Sequence, residues 1–206
     1  MAERATAVVV GIAGGSGAGK SWLARRLCAG LAERAALLEQ DWYYRDLSGW
    51  SAAQIAAHNF DCPEAVELDL LARDLAALRA GRPAAAPRYD FATHRRATAP
   101  PIPPRAVIVV EGLFVLAAPT LRALLDFKVF VDAPEELRRQ RRLARDQAER
   151  GIGPAAAERQ FAATVAPMHA HWVEPSRRWA DFVAAPEALE SAAAAVLRWL
   201  DGHGAG

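Results

Sequence analysis

The chain has 206 residues, 52% of them hydrophobic, and its 25 Lys and Arg against 24 Asp and Glu leave a net charge of +1. That length suits one α/β domain with room for an inserted segment, and such a domain buries roughly 70% of its unfolded surface. The near-neutral balance gives no global field for nucleic acid or a membrane surface, and no stretch approaches the ~20 apolar residues of a spanning helix.

The first element in chain order is Ala7–Ile12, a β-branched apolar run that predicts a buried parallel strand. Gly14, Gly15, Ser16, Gly17, Ala18, Gly19, Lys20 and Ser21 follow and fill the pattern G-x-x-x-x-G-K-[ST]. Leu23, Leu27 and Leu31 then recur four apart and predict a helix. Strand, glycine loop and helix together make a phosphate cradle. Glycines let backbone N–H groups face the anion, and the helix N-terminus adds its positive end. Lys20 is expected to reach the β/γ-phosphates of ATP, and the Ser21 hydroxyl to ligate Mg²⁺. An ATP-type loop implies a reducing cytosol, so a cytoplasmic location is expected, with the two cysteines, Cys28 and Cys62, as thiols. A cleaved leader is not expected, because cleavage would remove the loop.

A second strand is expected over Ala35–Leu38, with Asp41 just past its carboxyl end. That position suits a base accepting an alcohol proton, and equally a turn cap. Leu68, Leu71, Leu75 and Leu78 form one face of a helix ending near Gly81. Arg82–Arg105 breaks the rhythm with many prolines. It reads as an exposed connector or a functional insertion, within which Tyr89–His94 alternates large and small groups like a hairpin strand. A third strand, Ala106–Val110, delivers Glu111 to the same edge, where an acid either holds Mg²⁺ or simply ends the strand, and Gly112 would leave room beside it.

The fourth strand is Phe127–Val131, and Pro134-Glu135-Glu136 starts a helix carrying Arg138, Arg139, Arg141, Arg142, Arg145 and Arg150. With acids interspersed, this helix is either a solvated face or a lid supplying guanidinium groups to a transferring phosphoryl. The fifth strand is Phe182–Ala184, followed by a helix from Leu189 and a short tail, Gly202–Gly206. The aromatics Trp42, Tyr44, Phe60, Tyr89 and Phe91 are core residues or walls for a planar ring. The expected fold is α/β, a P-loop NTPase-type, mostly parallel five-stranded sheet with helices on both faces. It forms a single domain over 1–206, with a small hairpin insertion at 82–105 and a helical lid at 134–170.

These residues resemble the uridine–cytidine kinase family, within the group that includes phosphoribulokinase and pantothenate kinase. The likeness runs from the glycine loop to about Ala184. It rests on Gln40-Asp41 with Tyr44, on Asn59-Phe60-Asp61-Cys62-Pro63-Glu64-Ala65, and above all on Tyr89-Asp90-Phe91-Ala92-Thr93-His94-Arg95-Arg96. Glu111-Gly112, Arg142-Leu143-Ala144-Arg145-Asp146 and Glu149-Arg150-Gly151 also fit. The resemblance implies a magnesium-dependent ATP kinase acting on a pyrimidine nucleoside, with Asp41 as base for the 5′-hydroxyl. Asp61 and Arg142 would hold the ribose; Tyr44, Phe60, Tyr89, Phe91, His94 and Gln160 would surround the base. Lys20, Arg145 and Arg150 would act on phosphates. Family members are commonly tetramers regulated by pyrimidine triphosphates, so the resemblance admits a homo-oligomer; neither nucleic acid nor membrane is an expected partner.

The sequence departs from the family pattern at Trp22, Trp42-Tyr43 and Cys62, and at Ile152, which stands where an arginine usually helps bind the nucleoside. The acceptor therefore stays open between uridine or cytidine and another small alcohol such as nicotinamide riboside or pantothenate. A nucleotide-dependent switch is the remaining reading. Asp46-Leu47-Ser48-Gly49 matches D-x-x-G, but no Asn-Lys-x-Asp motif accompanies it.

Overall fold

The computed structural model describes residues 6–203. Strand β1 (Val8–Gly14) runs into the glycine loop, and α1 (Lys20–Leu31) leaves it. Strand β2 (Ala35–Glu39), α2 (Ala52–Ala57) and α3 (Leu68–Arg79) come next, then a hairpin of β3 (Arg88–Asp90) and β4 (Arg95–Ala97). Strand β5 (Val107–Glu111), α4 (Pro119–Arg122) and β6 (Phe127–Val131) lead to the helical excursion of α5 (Glu135–Arg150), α6 (Pro154–Gln160) and α7 (Ala166–Met168). Strand β7 (Phe182–Ala184) and α8 (Leu189–Gly202) finish the described chain. The expected span 1–206 and its glycine-rich tail extend past these residues, at 1–5 and 204–206, although Gly202 itself closes α8.

The five long-range strands form one parallel sheet in the order β2-β5-β1-β6-β7, as their unbroken apolar runs predict. Side chains alternate across it. Val9, Ala13, Leu38, Ile108, Val110 and Phe130 pack on the side of the α3 leucines 71, 75 and 78. Val10, Ile12, Val107, Val109, Val129 and Val131 pack against Leu23, Leu27 and Leu31 of α1 and Ala192, Val196 and Leu200 of α8. All the sheet's carboxyl ends point to one edge, with the glycine loop leaving the central strand there.

Three local differences from the expected elements have plain causes. Strand β1 extends two residues further, through Gly14, whose φ of 145° is open to glycine alone. Glu111 is the last residue of β5 rather than the first beyond it, paired in register with Ile12 and Glu39. Tyr89–His94 is not one strand. Asp90 takes the Ala92 N–H (2.8 Å) and the Thr93 hydroxyl (2.7 Å) and turns the chain, and His94 sits at φ 54°. The helical excursion, with wide π turns at Phe161–Val165 and His169–Val173, also continues past residue 170 to a 3₁₀ turn ending at Trp179.

Candidate active site

The phosphate loop is shaped by glycine where the backbone demands it. Gly17 and Gly19 have φ of 78° and 113°, and a Cβ on Gly17 would lie 2.5 Å from the Arg138 carbonyl. Lys20 is buried and donates from Nζ to the Gly15 carbonyl at 3.0 Å. The Ser21 hydroxyl donates to Glu111 Oε1 at 2.7 Å. Burial pushes Glu111 up to about 7 against the pull of Lys20, with Asp41 adding to the rise. Burial lowers the Lys20 ammonium, and Glu111 and Asp41 counter it.

This donor set fits Mg²⁺. Among the described residues no cluster of three or more His, Cys, Asp or Glu side chains could hold a metal. Mg²⁺ does not ask for one; it takes one or two protein oxygens and completes its shell with water and phosphate. A hydroxyl and a buried carboxylate in contact at the phosphate loop supply that number.

A cavity of about 740 Å³ opens from this point. It is lined by Lys20, Ser21, Asp41 and Glu111 together with Tyr44, Phe60, Phe91, His94 and Gln160. Asp41 reaches it from a 3₁₀ turn, Gln40–Tyr43, set directly on the end of β2. The aromatic wall is a connected set. Phe60 stacks on His94 (centroids 5.0 Å, 24°), and Tyr44 meets Phe60 at 6.1 Å and Phe91 at 5.6 Å. Tyr89 stands behind the wall, 5.4 Å from the Tyr44 ring, with its hydroxyl 3.1 Å from His94 Nδ1. Ile152, Ala156 and Ala163 add apolar surface from the helical excursion.

Asp61 lies deeper than the sequence suggests, at 4% exposure. Its Oδ1 faces Arg142 Nη1 at 3.3 Å, and its Oδ2 accepts from the Thr164 hydroxyl at 3.1 Å. Arg142 is equally buried and also donates to the Ser16 hydroxyl at 3.0 Å. Burial opposes the Arg142 charge, but the Asp61 and Asp146 carboxylates more than restore it. Arg145 touches Ser16 at 3.4 Å and borders the phosphate loop. Arg150 turns instead toward the aromatic wall, its guanidinium 4.2 Å from the Phe91 ring centre.

On the other side of Lys20 and Ser21 lies a second cavity, of about 540 Å³, bounded by Gly17, Gly19, Trp22, Arg141, Pro186 and Leu189. Arg141 also donates to the Gly17 and Ala18 carbonyls at 3.3 Å. Its position gives a flat, partly apolar slot beside the phosphate cradle. Pro186 arrives with the turn after β7, and Leu189 with the first residue of α8.

Further residues escaped the sequence reading. Gln40 is fully buried, and its Oε1 accepts the Phe114 N–H at 2.7 Å, tying the turn carrying Asp41 to the loop after β5. The room beside Glu111 that Gly112 was expected to leave is taken by Gln40, whose Cβ would lie 2.3 Å from an added Gly112 Cβ. Arg96 donates to the Tyr43 and Tyr44 carbonyls at 2.7 Å each and pairs with Glu67, and so fastens the hairpin to the aromatic wall. The Asp46 carboxylate of the D-x-x-G match binds the Ser48 and Arg96 N–H groups, which is turn and hairpin work. Gln40 and Arg96 stood inside recognisable motifs; Thr164 carried no signal.

A model of the phosphoribulokinase / uridine kinase family matches residues 9–187. A uridine kinase from Chloroflexus aggregans is 43% identical over 178 residues, covering 85% of each chain. A uridine kinase from Staphylococcus carnosus is 41% identical over 177 residues, again covering 85% of each. A solved structure from Bacillus stearothermophilus, described as a possible uridine kinase, superposes with a TM-score of 0.64 at 20% identity, over 88% of this chain and 90% of that one, and shows the shared fold.

Proposed function

Because the chain belongs to the phosphoribulokinase / uridine kinase family, we propose that this kinase transfers the γ-phosphoryl group of ATP to the 5′-hydroxyl of uridine or cytidine, a salvage step giving the nucleoside monophosphate. The observation carrying this reading is one cavity whose lining joins Asp41, Lys20, Ser21 and Glu111 to a connected wall of aromatic rings. A nucleoside has two parts to match: a primary alcohol that must meet phosphorus and a planar base that stacks.

In the mechanism, Asp41 accepts the 5′-hydroxyl proton and aims that oxygen in line with the γ-phosphorus. Lys20 and the loop N–H groups hold the phosphates, and Arg145 faces the charge that builds on the transferring group. Ser21 and Glu111 would hold Mg²⁺, which would supply neutralisation of the phosphate charge. Phe60, Phe91 and His94 enclose the base, Tyr44 and Tyr89 support them, and Gln160 offers its amide to the ring edge. Asp61 and Arg142 are the ribose partners, exchanging part of their mutual contact for sugar hydroxyls. The donor base takes the slot beside Trp22 and Arg141. The cytoplasm is the proposed site of action, since an ATP-dependent phosphate loop works in that compartment; among the described residues no helix is long and apolar enough to cross a membrane.

A coupled assay over uridine, cytidine, purine nucleosides, nicotinamide riboside and pantothenate tests the reading. Turnover of a pyrimidine nucleoside is expected, and Asp41→Asn should lower kcat by about 10²-fold or more while MgATP still binds. No turnover of any pyrimidine nucleoside by folded protein would remove it. The place of Ile152 in the cavity lining favours the other small alcohols as the second reading, since an apolar group stands where the family pattern that the sequence resembles has an arginine.

A further inference from the structure

Asp146 lies inside the last turns of α5 and is 1% exposed. Its carboxylate faces three guanidinium groups. Oδ2 accepts from Arg142 Nε at 2.5 Å, and Oδ1 faces Arg150 Nη1 at 3.4 Å and Arg145 Nε at 3.8 Å. The three arginines then diverge. Arg142 goes to Ser16 of the phosphate loop and to Asp61. Arg145 goes to Ser16 and borders both cavities. Arg150 lies over Phe91.

Helical spacing explains part of this: 142, 146 and 150 fall on one face, four residues apart, with 145 beside them. Three cations here share the carboxylates of Asp146 and Asp61, so the cluster keeps an excess of positive charge facing the phosphate loop. Such a cluster holds its geometry only while a central anion outweighs cation–cation repulsion in a shielded site. Surface helices offer many carboxylates that would balance charge from the outside. This one is buried at the point from which the three side chains part.

We propose that Asp146 is a positioning residue shared by both substrate sites: one carboxylate holds Arg142 at the phosphate loop, aims Arg145 between the cavities and keeps Arg150 against the aromatic wall. Donor and acceptor are thereby gripped by a single array, and the proposal rests on the kinase reading for the names of those two substrates.

The test is Asp146→Asn, which keeps the shape and removes the charge. The affinity for a MgATP analogue, measured by titration calorimetry, should fall by about 10-fold, and kcat with the accepted alcohol by about 10- to 100-fold. Arg145→Met and Arg150→Met, combined, should absorb the part of the effect that runs through them: adding Asp146→Asn to that pair should lower kcat/KM by several-fold less than it does in the wild-type background, the remainder being carried by Arg142. A residue that only stabilises the helix would lower the melting temperature and leave no such coupling. Asp146→Glu keeps the charge but shifts the carboxylate, and carries the test if Asp146→Asn does not fold; it should fold and lose about 10-fold or more in kcat/KM.

Wild-type constants in the folded variants, or an Asp146→Asn effect that persists at full size without Arg145 and Arg150, would overturn the proposal. Loss of the fold in both Asp146 variants would likewise assign the residue to stability alone. The calorimetry needs no acceptor, so it reads Asp146 even where no pyrimidine nucleoside is phosphorylated, an outcome that would instead remove the proposed function.

Discussion

The contact between Ser21 and Glu111 shows what a single residue pair decides. Glu111 is held at about 7 chiefly by burial, so near neutrality a proton competes for the same oxygens that Mg²⁺ requires. The Mg²⁺ concentration giving half-maximal rate should therefore rise as pH falls below about 7, approaching tenfold per pH unit, and Glu111→Gln should flatten that dependence while raising the requirement at every pH. Steady-state rates across Mg²⁺ titrations at several pH values check this, and a wild-type requirement independent of pH would contradict it. Lys20, Ser21 and Glu111 were legible in the sequence because the phosphate cradle fixes residue types at fixed spacing and a strand end delivers the acid. Thr164 was not legible. Its bond to Asp61 spans separate segments and obeys no period, and the burial of Asp61 depends on an arginine from another helix.

At the scale of elements, the β3–β4 hairpin matters through its fastening. Arg96 joins it to the Tyr43 and Tyr44 carbonyls and to Glu67, and its N–H is taken by Asp46. Arg96→Met should loosen the wall carrying Phe91 and His94. KM for the nucleoside should rise by about 10-fold, while MgATP affinity changes by less than about 2-fold. Separate titrations of the two substrates would show it, and equal loss in both would instead mean general destabilisation. The sequence reading expected a hairpin strand over Tyr89–His94, and part of that span is instead the turn, because the Asp90 side chain takes local N–H and O–H groups, which alternation of large and small residues does not reveal. Helix α5 was an open choice between a solvated face and a lid. Arg138 and Arg142 are buried, with Arg142 on Ser16 of the phosphate loop, while exposed Arg141 also reaches that loop and Arg139 pairs with Glu136 at the surface.

For the whole molecule, stability should carry two opposing pH terms from the same edge of the sheet. Burial, with the Arg138 and Lys20 charges, holds the His169 imidazole at about 4, below its ordinary 6.5, although Glu174 Oε2 lies 3.4 Å from Nε2. The stability tied to that neutral ring is complete above about pH 6.5 and is lost as pH falls through about 4. Glu111 has the reverse sign: with a folded value of about 7 against an ordinary 4.5, its protonated form favours the fold, and that advantage fades as pH rises through 7. The ring is only partly shielded, so its share is on the order of 1–2 kcal/mol. Relative to wild type, His169→Gln should thus gain that amount at about pH 5 compared with about pH 7.5. Urea unfolding at the two pH values measures it, and parallel wild-type and variant profiles would refute it.

The parallel sheet itself was readable almost strand for strand, since short, mostly apolar runs without polar alternation betray a strand covered on both faces. The slot beside the phosphate loop was not readable, because only folding carries the turn after β7 and the start of α8 to Trp22 and Arg141. That slot and the ring-walled cavity share Lys20, Ser21 and Arg145, so they are two halves of one trough. A single tethered compound, with adenosine at one end and a nucleoside at the other joined through a phosphate chain, would span both. Its second half would dock at the high local concentration set by the tether, giving an inhibitor whose avidity exceeds that of either fragment.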